Sequence, residues 1–450
     1  MRQELVPSND DIYGWIEQVF RRGVRRPGYP ADRWAEDFIQ ARFGALGLRN
    51  VRREPVRLPV WEPQSWSLTL ELPGEAPVQV PCYPLPHTAP GVARGGLASL
   101  AGDAEKVRGA IAVDFLSMGA LPFAFFEERS TWVYDRNRTF DGFTHVLPFS
   151  LKTQLVMEPA LAAAAAYVGV LEGYPPGTHD YYVPYDGTFR PIPGVWVSRE
   201  DGRLVRGALE SGSATAELKV ASRRRDEETY NIIGELPGRG DEWIIIGSHH
   251  DGPWSSAVED GSGIAMVLAQ ATYWAAVPPT ERPHNLLFLL TSGHMCGAAG
   301  TRAFISAHPD FLERTVLELH LEHAALEHVE RDGRLVATGL PEPRWWFTSE
   351  NGALEAGVRA AITAEDLGRS LVVPPTLFGD RPTTDGGAFH LAGVPLVNFL
   401  TAPVYLFDSQ DTLDKIDRAH LAAITRAAVR IVESTAASTA RSMREGVRTA

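Results

Sequence analysis

Cysteine is scarce in this 450-residue chain, which holds only Cys82 and Cys296. Two thiols so far apart exclude a disulfide framework. Long apolar runs are missing too: none approaches the roughly 20 residues that a membrane-spanning helix needs, so no membrane partner is expected. Basic runs are nearly absent. Arg223-Arg224-Arg225 is offset at once by Asp226-Glu227-Glu228, which reads as a solvated surface between domains. With a net charge of −13, that balance argues against a nucleic-acid partner. The first residues, Met1 to Pro7, contain no apolar signal core, and a cytoplasmic location is the resulting expectation. No internal repeat or low-complexity segment interrupts the chain.

What is present is an ordinary globular composition, 44% hydrophobic and 22% charged, over a length that suggests two or three domains. Residues 9–21 and 31–47 read as helices; in the second, Ala35, Ile39, Phe43 and Leu46 recur at helical spacing and Gly47 suits the stop. Residues 51–58 and 66–72 alternate as strands do. From 75 to 222 the texture changes to frequent Pro and Gly with short β-like runs such as Gly109 to Phe115, and an Ala-rich helix over 158–167. This predicts a small β-rich domain (75–222) inserted between an N-terminal part (1–74) and a C-terminal part (223–450) of a larger domain. After Asn231, candidate strands at 230–236, 243–248, 285–291, 315–321 and 395–400 alternate with candidate helices at 261–275, 297–307, 352–367 and 418–441. Such alternation implies an α/β fold, with a mixed, mostly parallel central sheet covered by helices on both faces.

The strand ends of that half carry the chemistry. The run Ile244-Ile245-Ile246-Gly247-Ser248 leads into His249-His250-Asp251, and Glu259-Asp260 precede a Gly-Ser-Gly turn. Five metal-competent side chains thus fall within twelve residues at one strand tip. Imidazole and carboxylate together suit a divalent cation, and open α/β sheets bind ligands at the carboxyl ends of their strands. Further strands end at Thr291-Ser292-Gly293-His294 and at His320-Leu321-Glu322-His323, and another ends near Thr401 and Asp408. Tips at one sheet edge can converge on a single ion. Considered one by one, His320 is a satisfied sheet residue, Cys296 a small packing residue, and Trp345-Trp346 core or cleft wall.

These pieces resemble the M28 family of zinc aminopeptidases and carboxypeptidases. The resemblance rests on Ile246 to Asp251, Ala257 to Gly263, Gly297 to Thr301, Thr384 to Phe389, Ala392 to Pro395 and Asp411 to Ile416. The middle region resembles a protease-associated domain through Gly109 to Val113 and Val195 to Gly202. The resemblance implies a zinc-peptidase fold and a catalytic centre that usually holds two zinc ions bridged by a carboxylate and a water. Carried over, His249 matches the first imidazole ligand, Glu259 the bridging carboxylate, Glu322 the acidic ligand of the same ion, and Asp251 the carboxylate that fixes the His249 ring. Asp385 matches a position at the substrate end of the cleft.

The other half of the centre departs from the family. His294 and Met295 stand where the family has Glu-Glu, and Phe407 stands at the last His ligand. Neither Met nor Phe replaces an oxygen or imidazole ligand for zinc. One divalent ion is therefore expected, zinc first with manganese or iron as alternatives, on His249, Glu259 and Glu322. His294 is then the general base or acid, an added ligand, or a core histidine. His250, His323 and Asp260 are supporting residues or added ligands, with His323 the strongest of these, and Phe407 belongs to the cleft. The implied activity is metal-dependent hydrolysis of an amide or peptide-like bond. The alternatives are a catalytically silent scaffold of the same fold, or hydrolysis or cyclisation of a small non-peptide amide. A homo-oligomer is a further expectation.

Overall fold

The computed structural model describes residues 1–101, 104–150 and 163–445. Its C-terminal half is built on a mixed, mostly parallel sheet. The strands run in the order Thr215–Leu236, Asn285–Thr291, Trp243–His249, Thr315–Leu321, Leu396–Leu400, Arg344–Thr348, Ser370–Val373 and Trp132–Tyr134. Trp243–His249 lies parallel to both neighbours, and Thr315–Leu321 is parallel to Leu396–Leu400. These central strands are mostly apolar because both faces are covered; Ile244, Ile245 and Ile246 are fully buried. Helix Gly263–Ala276 packs against Trp243–His249 and is apolar almost all round, as a helix enclosed in a core must be.

Sheet and helix boundaries differ from the sequence reading in instructive places. Residues 49–71 form one strand, Arg49–Glu71, paired antiparallel with Thr215–Leu236 along nearly its whole length. Pro55, Pro59 and Pro63 fall every fourth residue, so each points its missing N–H to the same side. That side is the open edge over this stretch, since among the described residues the only other partner of the strand, Val78–Val80, meets it at Leu68–Leu70. Helix 418–441 is two helices, Leu421–Ser434 and Ala440–Arg444, and 297–307 starts later, at Ala299. Of the expected Ala-rich helix, residues 158–162 lie outside the described residues, and Ala166 already begins the strand Ala166–Gly173.

The middle region is divided between two places. Gly91–Ser99, Ile111–Ser117, Ala166–Gly173 and Gly194–Ser198 continue the sheet outward from Thr215–Leu236. Residues 120–149 instead cross to the C-terminal half. There Trp132–Tyr134 adds an antiparallel edge strand to Ser370–Val373, and helix Phe123–Glu127 lays Phe126 against Trp345 with ring centroids 4.7 Å apart. No described helix is long and apolar enough to cross a membrane.

Candidate metal centre

Four segments bring the polar side chains together. His249 ends its strand, Glu259 follows on the helical turn Ala257–Ser262, His294 opens the turn after Asn285–Thr291, and Glu322 and His323 lie just past Thr315–Leu321. Asp385 joins them from the loop before helix Gly387–Leu391. All six are buried or nearly so.

Three atoms face a common point. His249 Nε2 lies 3.4 Å and His294 Nε2 lies 3.8 Å from Glu259 Oε1, and the three fall within 4.8 Å of one another. Ligands about 2.0–2.2 Å from a tetrahedral zinc sit roughly 3.3–3.6 Å apart, so small movements complete such a shell. His249 Nε2 and Glu259 Oε1 are buried with no hydrogen-bond partner. Orphaned buried atoms of this kind are costly unless an ion satisfies them. The imidazole of His249 is held by its other nitrogen, Nδ1, which donates to the Asp251 carbonyl at 2.8 Å. That fixes the tautomer with Nε2 free as a ligand atom. The donor set therefore fits a divalent cation.

Asp251 and Glu322 differ from the sequence expectations, whereas His250 and Asp260 take the supporting places expected of them. The Asp251 carboxylate does not hold the His249 ring; it accepts the backbone N–H groups of His294 and Met295 at 3.1 and 2.8 Å and so fixes the turn that carries His294. His294 is oriented by Asp385, whose Oδ2 lies 3.0 Å from Nδ1, and its ring stacks on His249 at 4.2 Å. Glu322 is not part of the three-atom set. Its Oε1 accepts from Asn398 Nδ2 at 2.6 Å, and it groups instead with His320 and Asp385. His250 turns away from the cluster, donating from one nitrogen to Asp32 at 2.8 Å and from the other to the Tyr230 carbonyl at 2.9 Å. Asp260 shapes its turn, accepting from Ser248 and from the Gly263 N–H.

His323 leaves the regular strand path and faces Glu259. Its Nδ1 donates to the Thr401 carbonyl at 2.8 Å, and its Nε2 lies 2.5 Å from Glu259 Oε2. A carbonyl only accepts, so Nδ1 carries a hydrogen, and the short contact at Nε2 requires a second proton between ring and carboxylate. Glu259 thus offers Oε1 to the common point while Oε2 is engaged by His323.

Charge is distributed unevenly across the cluster. Burial opposes ionisation of Glu259, but His323 and His249 hold its carboxyl well below the ordinary range. Burial likewise opposes the charge on His294, yet Asp385 and Glu259 raise its imidazole to about 10. Without a cation these carboxylates draw protons onto the imidazoles; a bound divalent ion would displace them. Glu322 behaves differently: burial, then the nearby Asp385 charge, bring its carboxyl to about 7.

Comparison with known proteins agrees with this architecture. The family model for peptidase family M28 matches residues 231–432. That segment belongs to peptidase family M28. The chain is also similar to a probable leucine aminopeptidase 2 of Aspergillus oryzae, 28% identical over 264 residues, a match covering 55% of this chain and 48% of the relative. The chain thus spans about half the length of that relative. Among solved structures, a peptidase M28 precursor from Shewanella amazonensis superposes with a TM-score of 0.69 at 20% identity, covering 95% of this chain and 93% of its own. A zinc aminopeptidase from Bacillus subtilis gives a TM-score of 0.65 at 18% identity, covering 94% and 95%. At such identities these two structures establish the fold.

Several residues that build the site were given no role in it by the sequence reading. Asp411 accepts the N–H groups of Val258 and Glu259 at 2.8 and 2.9 Å, which sets the Glu259 backbone. Arg25, from the turn between the first two helices, donates to the carbonyls of His250, Ser255, Ser256 and Glu259. Asn398 places Glu322. Buried His320 donates from Nδ1 to Glu318 at 2.8 Å, while its Nε2 has no partner. The pairing of Asp411 with the Glu259 turn was the most accessible of these in the sequence, since Asp411 opens a matched motif.

A pocket partly open to solvent sits over the cluster. Its polar floor is Glu259, His294, Glu322, His323 and Asp385, and Tyr185 and Phe407 form one wall, their rings 4.9 Å apart. Among the described residues no Lys or Arg lines it.

Proposed function

We propose that the protein is a metal-dependent hydrolase of the aminopeptidase type, cleaving an amide next to a free amine, with one divalent ion, zinc in the first instance, on His249, Glu259 and His294. The observation that carries this reading is the buried cluster of three ligand atoms on His249, Glu259 and His294, two of them (His249 Nε2 and Glu259 Oε1) without a hydrogen-bond partner, at the floor of a pocket. The acid-rich floor suits a substrate ammonium group, and the lack of a basic side chain leaves a substrate carboxylate without a partner. The aminopeptidase names of the relatives support the same direction.

When bound, the ion supplies a Lewis acid for the amide carbonyl and lowers the pKa of water. His249 and His294 are preset as ligands by the Asp251 carbonyl and by Asp385. Glu322 takes the proton-transfer role, because its proton affinity lies close to neutrality and its carboxyl borders the pocket. These assignments exchange the parts of His294 and Glu322 relative to the family pattern.

The single-ion reading is supported by His323. Its imidazole occupies the second oxygen of Glu259, the atom a bridging carboxylate would give to a second ion. Protein purified without added metal is expected to contain close to one zinc per chain by elemental analysis. Two per chain would end the single-ion reading. None, together with no turnover of an aminoacyl anilide or dipeptide after zinc is supplied, would leave a silent scaffold as the better description.

A further inference from the structure

At the end of the pocket away from the acidic cluster, the walls are aromatic. Trp345 and Phe347 project from one face of Arg344–Thr348, and Trp345 pairs directly with Leu400 on the next strand. Phe126 and His145 come from the crossing segment 120–149, their rings 4.7 and 5.2 Å from that of Trp345. Phe378 completes this end, 6.4 Å from Phe126. A purely apolar side chain would need nothing more than such a box.

The box is not purely apolar. His145 is 2% exposed and Trp345 is 3% exposed, and both line the pocket. His145 Nε2 and Trp345 Nε1 have no hydrogen-bond partner. The other nitrogen of His145, Nδ1, lies 3.6 Å from Glu342 Oε1, a carboxyl that burial, and then Glu327, push up to about 8. Burial keeps His145 itself neutral, with its imidazole lowered to about 3. Buried polar groups without partners cost free energy, and two such groups side by side at the end of a ligand pocket are suited to pairing with a ligand.

We infer that this end of the pocket is a specificity site for a hydroxylated aromatic side chain, with Phe126, Phe347 and Phe378 flanking the ring and His145 Nε2 and Trp345 Nε1 taking its hydroxyl. The inference rests on the aminopeptidase-type reading and names its substrate class. A hydroxyl has the hydrogen-bonding chemistry to answer both groups. It accepts from the indole N–H, which can only donate, and it donates to or accepts from His145 in either tautomer. An unsubstituted phenyl or an isobutyl group fills the same space and leaves both polar atoms unsatisfied. Sites built to bind a hydroxyl discriminate strongly against analogues that lack it.

The test is the ratio of kcat/KM for tyrosine p-nitroanilide over phenylalanine p-nitroanilide, measured on the zinc-loaded full chain. A ratio does not depend on how much of a preparation is folded. Wild type is expected to favour the tyrosine substrate by on the order of tenfold or more, and both His145→Phe and Trp345→Phe are expected to bring the ratio toward one. A wild-type ratio near one, or a high ratio unchanged in both variants, overturns the proposal. Calorimetric titration of wild type with tyramine and with phenethylamine separates this from the hydrolase reading. Tighter binding of tyramine without turnover of either anilide upholds the specificity site and removes the hydrolase. Turnover of both anilides at equal rates does the reverse.

Discussion

Glu322→Gln is expected to keep its zinc and lose its turnover. The substitution preserves side-chain length and leaves an oxygen for the Asn398 Nδ2 contact, which the wild-type residue makes at 2.6 Å. What it removes is the ability to take up and release a proton. General acid–base catalysis contributes about 10²- to 10⁴-fold, so kcat should fall by that factor while KM changes little. His294→Ala should behave differently: it deletes one of the three atoms around the common point, so metal content and activity fall together. Elemental analysis and kcat/KM measured on the same preparations check both. If Glu322→Gln loses its metal, Glu322 is a ligand after all and the roles revert to the family pattern. If it retains full turnover, the proton is moved by another group.

The strand-end logic was legible in the sequence for a simple reason. A strand buried on both faces is mostly apolar, so the point where Ile244-Ile245-Ile246 gives way to His249 marks the sheet edge without any knowledge of the fold. The same holds for His294 after Leu286 to Leu290, whereas the strand before Glu322 already carries Glu318 and His320; topology makes the tips neighbours. What could not be read was orientation at the ends, where period-two alternation stops. His323 was expected as a supporting residue or added ligand; beyond Leu321 the chain no longer alternates and the ring turns to Glu259. Asp251 was expected to act through its carboxylate, but the carbonyl reaches His249 and the carboxylate caps the next turn. Both outcomes depend on backbone conformation past the strand end, which composition does not encode.

The crossing segment was hidden for a different reason. Frequent Pro and Gly and short β-like runs describe residues 120–149 as well as their neighbours, so the whole region reads as one insert. The pairing of Trp132–Tyr134 with Ser370–Val373 and the packing of Phe126 on Trp345 place this part against the C-terminal half. Partners more than two hundred residues apart, such as Val133 and Leu371, leave no local trace. The consequence is functional, since Phe126 and His145 wall the pocket from a part of the chain that shares no motif with the site.

The loop that carries Glu259 depends on one distant cation, and Arg25→Ala is expected to unravel it. Arg25 is fully buried. Its Nε donates to the His250 carbonyl at 2.9 Å, Nη1 to Ser255 at 2.6 Å, and Nη2 to Ser256 and Glu259 at 3.1 and 3.3 Å. One guanidinium therefore ties together both ends of the loop between His249 and Glu259. Burial works against its charge, while Asp260, Asp411, Asp32 and Asp251 favour it. Removing it leaves four carbonyls without a donor and those carboxylates without a nearby cation. Loss of one member of a buried charged network costs about 3–5 kcal/mol, which corresponds to a fall in Tm of roughly 10 °C for a domain of this size. Arg25→Lys should recover little of this, because a single ammonium cannot reproduce a planar fork with donors on several sides. The same variants should bind zinc more weakly, since Glu259 is no longer held opposite His249. Thermal unfolding with and without zinc measures both effects. A Tm within about 2 °C of wild type for Arg25→Ala, with zinc content unchanged, would show that Asp411 alone fixes the loop through its contacts with Val258 and Glu259.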